Sequence, residues 1–142
     1  MYMAKPQIII ALLILYFANI KIGLAADKES ESAGICLGMV MKAEEFGVDV
    51  SDLWRPGAKY AASVYPRFQR LMPRIEQCMK GSRETKIFES CLEQLPNASD
   101  KAFMKMVNAG SHQAILSYRR NGKKSFIAET EYACSMAPKK FH

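Results

Sequence analysis

Apolar side chains recur along most of this chain at three- and four-residue steps, the spacing that lines one face of an α-helix. Ile35, Cys36, Met39, Val40 and Ala43 predict a first helix over Ala33–Phe46, with Ser32 as N-cap and Gly47 as the C′ glycine that ends it. Val48–Gly57 reads as a loop and carries the only tryptophan, Trp54. Tyr60, Val64, Phe68, Leu71, Ile75, Cys78 and Met79 restore the helical spacing over Ala58–Met79. Pro66 and Pro73 fall inside that stretch, and each removes a hydrogen bond and crowds the preceding turn. The expectation is a short helix to about Tyr65 and a second one from Pro66.

Ser82 predicts the N-cap of a third helix, Arg83–Leu95, with Ile87, Phe88, Cys91, Leu92 and Leu95 turned inward. Ser99-Asp100 opens a fourth, in which Phe103, Met106, Val107, Ala114 and Tyr118 keep the period and Gly110 offers a bend. Asn121-Gly122 suits either a β-hairpin or a stop between two helices. Ile115-Leu116 and Phe126-Ile127 are adjacent apolar pairs that spoil strand alternation. The helical reading therefore fits better, with Ser125 capping a last helix. The fold class expected is all-α: a compact bundle of four to five short helices stapled by two disulfides.

The first segment has a different character. Ile8–Ala18 is an unbroken apolar run behind Lys5, and small residues Gly23 and Ala25 precede the charged Asp27-Lys28-Glu29. That order is the order of a secretory signal peptide. It divides the chain into a signal over residues 1–25 and a single disulfide-bonded helical domain over 26–142. The rival reading is an uncleaved anchor, since Ile8–Ala26 approaches the ~20 residues a spanning helix needs, although Lys21 interrupts it. No later stretch is apolar enough to span, so the expected location is periplasmic or secreted.

Composition narrows this further. The chain has 142 residues, 49% apolar and 24% charged, which excludes a disordered, collagenous or rod-like protein and leaves room for one domain. Without residues 1–25 it keeps 18 basic and 14 acidic side chains, a net +4. Residues 26–52 carry a net −5 and residues 53–142 a net +9. A basic body suits an anionic partner, although surface lysines also serve solubility alone.

Cys36, Cys78, Cys91 and Cys134 are an even set in a short exported chain, which reads as two disulfides with three possible pairings. Metal binding would want close Cys-x-x-Cys pairs, and the sequence has none. Antiparallel first and second elements would bring Cys36 to Cys78. An up-down order would make the third and last helices parallel, with Cys91 and Cys134 at equal height. A Cys78–Cys91 bridge across a tight turn at Gly81 would face a seven-residue mismatch, roughly 10 Å of helix. The spacing thus predicts Cys36–Cys78 and Cys91–Cys134.

Catalytic chemistry is hard to build from the rest. Of two histidines, His142 is terminal, and His112 adjoins Ser111 on what is read as a helix, where neighbours point apart. Glu44-Glu45, Glu89/Glu93 and Glu129/Glu131 are close carboxylate pairs, but nothing places one of them in the apolar pocket that glycoside cleavage needs. Met39/Met41 and Met104/Met106 have a Met-x-Met form that suits Cu(I), yet residues two apart on a helix face different ways. No cofactor motif is present. Asn97-Ala98-Ser99 is an acceptor sequon for N-glycosylation.

Arg67, Arg70 and Arg74 form a helical stripe, and Arg119, Arg120, Lys123 and Lys124 a second cluster; with Trp54 they make up the candidate binding surface. An exported, disulfide-bonded chain seldom meets nucleic acid. The expected partner is another envelope or secreted protein, or an anionic envelope polymer. The sequence therefore reads as a small exported, non-enzymatic binding protein, such as an accessory part of an envelope or secretion machine or an inhibitor or immunity protein. A helical cell-wall-lytic enzyme is the alternative, and a small-ligand or metal carrier the third reading.

Overall fold

The computed structural model describes residues 28–53 and 56–136, all of them helix, turn or irregular, with no strand among them. The signal-peptide cut, Trp54 and His142 lie outside the described residues. Helix α1 covers residues 28–40, a short 3₁₀ turn covers Val50–Leu53, and α2, α3 and α4 cover Pro56–Met79, Thr85–Glu93 and Ala98–Ser135. Ser32 sits inside α1 rather than capping it. Past Val40 the helix loosens, with Lys42 and Ala43 donating to carbonyls three residues back. The α-helix therefore ends at Val40, short of the predicted Phe46, and the turns that follow it close at Gly47, whose φ is +65°. There the Gly47 N–H donates to Glu44 and the Val48 N–H to Ala43, the two bonds of a Schellman cap.

The two prolines do not break α2, contrary to expectation: Pro66 and Pro73 lie inside one 24-residue helix. Both are exposed, so the hydrogen bonds they remove open towards water instead of the core. Pro56 opens that helix where its missing N–H leaves nothing unpaired. Helix α3 is shorter than predicted. Its N-cap is Glu84, and Ser82 instead accepts from the Glu84 N–H in the preceding turn. Asn97 caps α4, accepting from the N–H groups of Ser99 and Asp100 at 2.8 and 3.2 Å.

Helix α4 is two helices joined at Gly122, the one residue within it with non-helical geometry (φ 75°, ψ −159°). In a straight helix Gln113 and Glu129 would stand roughly 24 Å apart. Their side chains meet at 3.5 Å, and the Ser117 and Ser125 hydroxyls meet at 3.2 Å. The arms before and after Gly122 therefore fold back on each other as a helical hairpin. Ser125 sits inside the second arm, bonded across the turn, rather than capping it. Gly110, where a bend was expected, stays helical.

Its true role is close packing. A Cβ on Gly110 would lie 2.9 Å from the Ile35 Cα, and one on Gly34 would lie 2.8 Å from the Met106 Cβ. A Cβ on Gly38 would overlap the Val107 carbonyl oxygen. Glycines at 34, 38 and 110 thus let α1 and α4 touch backbone to backbone, and the Ser111 hydroxyl donates to the Gly38 carbonyl at 3.3 Å. One buried cluster gathers Leu37, Tyr60, Leu71, Ile75, Leu92 and Phe103 from all four helices. A second holds Met39, Val48, Leu53, Ala114 and Phe126. Phe46 stacks on Tyr118 and meets the edge of Phe126, binding the end of the first segment to the hairpin.

The disulfides are Cys36–Cys134 and Cys78–Cys91, with Cα separations of 4.7 and 5.8 Å. This overturns the predicted pairing and the up-down order behind it. The error lay in the tight turn: residues 80–84 separate α2 from α3, with Lys80 and Gly81 both at positive φ. Five residues span up to roughly 17 Å. That reach carries α3 across the end of α2, so the second turn of α3 meets the last turn of α2.

Candidate functional site

The seven basic residues of the candidate surface fall into two separate places. On α2, Arg67 is half-buried and turned inward. Its Nε and Nη2 donate to Asp100 Oδ1 at 3.0 and 2.9 Å, and Nη2 also donates to the Ser99 hydroxyl at 2.8 Å. The guanidinium lies 4.5 Å over the Phe103 ring. Ser99 in turn shares a 2.6 Å hydrogen bond with Ser30 of α1. Arg67 is thus a clamp joining α2, α1 and the start of α4. Beside it the buried Tyr60 phenol is pushed up to about 12, chiefly by burial and next by the Glu29 charge, with Arg67 pulling the other way. Arg70 reaches Asp100 at 3.7 Å, and Arg74 is exposed.

Arg119, Arg120, Lys123 and Lys124 surround the hairpin turn, all exposed. Asp100 stands in the first turn of α4 and Arg119 in the last turn before Gly122, so the two basic clusters lie roughly 28 Å apart along the helix. They are not one surface. None of the four tip residues makes an ion pair among the described residues. Arg119 and Arg120 stand where a helix C-terminus favours cations. Lys123 and Lys124 occupy the opposite situation, the first turn of the second arm, where the helix dipole favours acids. The hairpin therefore brings four cations and a positive helix end to one tip. Trp54, the remaining member of the candidate surface, lies outside the described residues.

The other candidates are placed as follows. Glu89 and Glu93 are exposed on α3, and Glu93 lies 3.5 Å from the Lys101 ammonium. With His112 they border an open groove of about 1060 Å³ between α3 and α4. Met39 and Met104 are core residues, whereas Met41 is exposed and Met106 half-buried, so neither Met-x-Met pair converges. Among the described residues no group of three or more His, Cys, Asp or Glu is placed to hold a metal. No described helix is long and apolar enough to cross a membrane. Asn97 is exposed, with its side-chain oxygen engaged in capping α4.

One feature has no local sequence signal. A cavity of about 390 Å³ opens between the end of α1, the 3₁₀ turn, the start of α2 and the second arm of α4. Thr130, 1% exposed, lines it, and the Thr130 hydroxyl has no hydrogen-bond partner. A threonine on a buried helical face looks like any core residue in sequence; only the packing shows its hydroxyl stranded.

The fold and these sites define an all-α, disulfide-bonded domain with a cationic hairpin tip. Compared with protein-family models, curated proteins and solved structures, the chain matches none.

Proposed function

We propose that the chain is a small exported, non-enzymatic binding protein that engages an anionic macromolecule outside the cytoplasm through the tip of the α4 hairpin. The observation that carries this reading is the exposure of Arg119, Arg120, Lys123 and Lys124 around Gly122 without a neutralising acid among the described residues. Four unneutralised charges on a narrow tip concentrate positive potential and steer an anionic partner towards it. The two disulfides suit an oxidising compartment, periplasmic or extracellular. Arg67 drops out of the binding surface, because its donors are spent inside the fold.

The test is salt elution of the full chain from an immobilised polyanion, with affinity capture from its own cell envelope in parallel. Replacing Arg119, Arg120, Lys123 and Lys124 by Gln is expected to bring elution to lower salt and abolish capture. A control in which exposed Arg74, Lys80, Arg83 and Lys86 become Gln removes the same charge elsewhere. Equal elution of the two variants would show that net charge, not the tip, does the binding.

A further inference from the structure

The joint of the α4 hairpin carries a chemistry of its own. Asn97, Asn108 and Asn121 are the asparagines among the described residues, and they stand in three different settings. The Asn97 side-chain oxygen is held by the amides of Ser99 and Asp100, and Ala98 follows it. Asn108 lies within the unbroken first arm of α4 and is followed by Ala109. Asn121 is exposed at the end of that arm, and its side chain makes no hydrogen bond among the described residues. Gly122 follows it with φ 75°. A Cβ at 122 would meet nothing within 4 Å, so the joint has open space around it. The peptide plane between 121 and 122 turns when ψ of the first and φ of the second change in opposite senses, which leaves the directions of the two arms nearly unaltered. Glycine, without a Cβ, accepts that turn at little cost. Ala98 and Ala109, both in continuous helix, have no such freedom.

We propose that Asn121 is a self-modification site, at which the side-chain amide is lost as ammonia and the hairpin tip acquires a carboxylate. The turned peptide plane brings the Gly122 nitrogen against Cγ of Asn121. That nitrogen gives its proton to hydroxide and attacks, and the new N–C bond closes a five-membered succinimide. The Cγ–Nδ2 bond breaks, and Nδ2 leaves as ammonia with a proton taken from water. Water then adds to either ring carbonyl and breaks one ring C–N bond, leaving an aspartate or its β-linked isomer. Water is the only co-reactant, and nothing is oxidised or reduced. Arg120, Lys123 and Lys124 adjoin the reacting pair in the chain, and their charges favour the negative charge that gathers on nitrogen and oxygen as the bonds exchange. The product sets one negative charge among the four exposed cations of the tip. On the reading of the tip given above, anion binding therefore weakens as the chain ages.

The test holds the full-length, disulfide-bonded chain folded at mildly alkaline pH, samples it over days and weighs its chymotryptic peptides. The peptide Arg119–Phe126 should show the mass change of an amide turned to acid about tenfold faster than the peptides that hold Asn97 and Asn108. Asn121→Gln, whose longer side chain closes a ring less readily, should show no such change over the same interval. Aged wild type and fresh Asn121→Asp should elute from the immobilised polyanion at the same, lower salt, and aged Asn121→Gln where fresh wild type does. Equal rates at the three asparagines would overturn the site. Acid at 121 with unchanged elution would overturn its effect on binding. The variant with Gln at all four tip positions then separates the causes: if it elutes with its control, the reading of the tip has failed, and the modification stands on the peptide masses.

Discussion

Gly38→Ala adds one methyl group, and the structure sets two opposed effects against each other. Alanine is the better helix former by about 1 kcal/mol, so the change would stabilise an isolated α1. In the folded chain the added Cβ would overlap the Val107 carbonyl oxygen and sit 2.9 Å from the Ser111 amide nitrogen. Both obstacles are helical backbone, which cannot swing aside as a side chain can. Relief requires α1 to move away from α4 by about 1 Å, and a gap of that size forfeits a quarter to a half of each dispersion contact along the seam. It also stretches the Ser111–Gly38 hydrogen bond, already 3.3 Å long. Overpacking of this kind costs about 1–3 kcal/mol, and the backbone obstacle places it at the upper end. Against the propensity gain, the net expectation is a loss of about 2 kcal/mol, read as a lower urea midpoint in circular dichroism with the disulfides intact. Gly110→Ala strikes the Ile35 backbone in the same seam. The double variant should therefore lose less than the two single losses together, because helices already apart no longer collide. A Gly38→Ala chain as stable as wild type, or strictly additive losses, would refute backbone contact between α1 and α4.

The bridges close loops of very different length, 98 residues for Cys36–Cys134 and 13 for Cys78–Cys91. Chain-entropy arguments then put their contributions at about 4.7 and about 2.9 kcal/mol, so paired Cys→Ala removal at 36 and 134 should lower the urea midpoint more than removal at 78 and 91. Non-reducing peptide mapping should recover both pairs. Arg67→Ala, which opens the clamp to Asp100 and Ser99 and uncovers Phe103, should cost about 2 kcal/mol; Arg74→Ala, on the exposed face, should change the thermal midpoint little. Because Tyr60 ionises only near pH 12 in the fold but near 10 when unfolded, its stabilising share is complete below pH 10 and is lost as pH rises towards 12. Wild type should therefore lose stability relative to Tyr60→Phe across that window, and a difference that stays flat would show that Tyr60 is not held neutral.

Helical period and turn chemistry were legible because they are local. The Gly47 stop is a matter of six residues, and Asn121-Gly122 marks a helix break by its conformational freedom alone. Caps were read less well. Ser32 and Ser82 resemble N-caps, but a serine takes that role only where the helix in fact begins, and α1 and α3 begin elsewhere. The prolines misled for a tertiary reason: their local penalty is tolerable when the broken ladder faces water, and exposure of Pro66 and Pro73 is not written in their neighbours. Arg67 was visible as a basic residue and invisible as a clamp, since Asp100 lies 33 residues away. The glycine seam had a signal, the four-residue step from Gly34 to Gly38. Its partner at Gly110 becomes meaningful only once α1 and α4 are known to cross.

Where local rules and the global fold agree, a residue needs no further explanation; where a residue breaks a rule without a structural return, function is the better account. Most departures in this chain do have a return. The inward Arg67 secures three helices, and the three seam glycines bring two of them into contact. Two departures have none inside the fold, and both are on the second arm of α4. Lys123 and Lys124 oppose the dipole of that arm at its start, and neither makes an ion pair among the described residues. Thr130 buries a hydroxyl without a partner two turns further on. Gln in place of the two lysines and Val in place of Thr130 should then each hold or raise the stability of the chain, and the lysine change should also weaken polyanion binding. An arm shaped for stability alone would show the reverse, losing stability with each change.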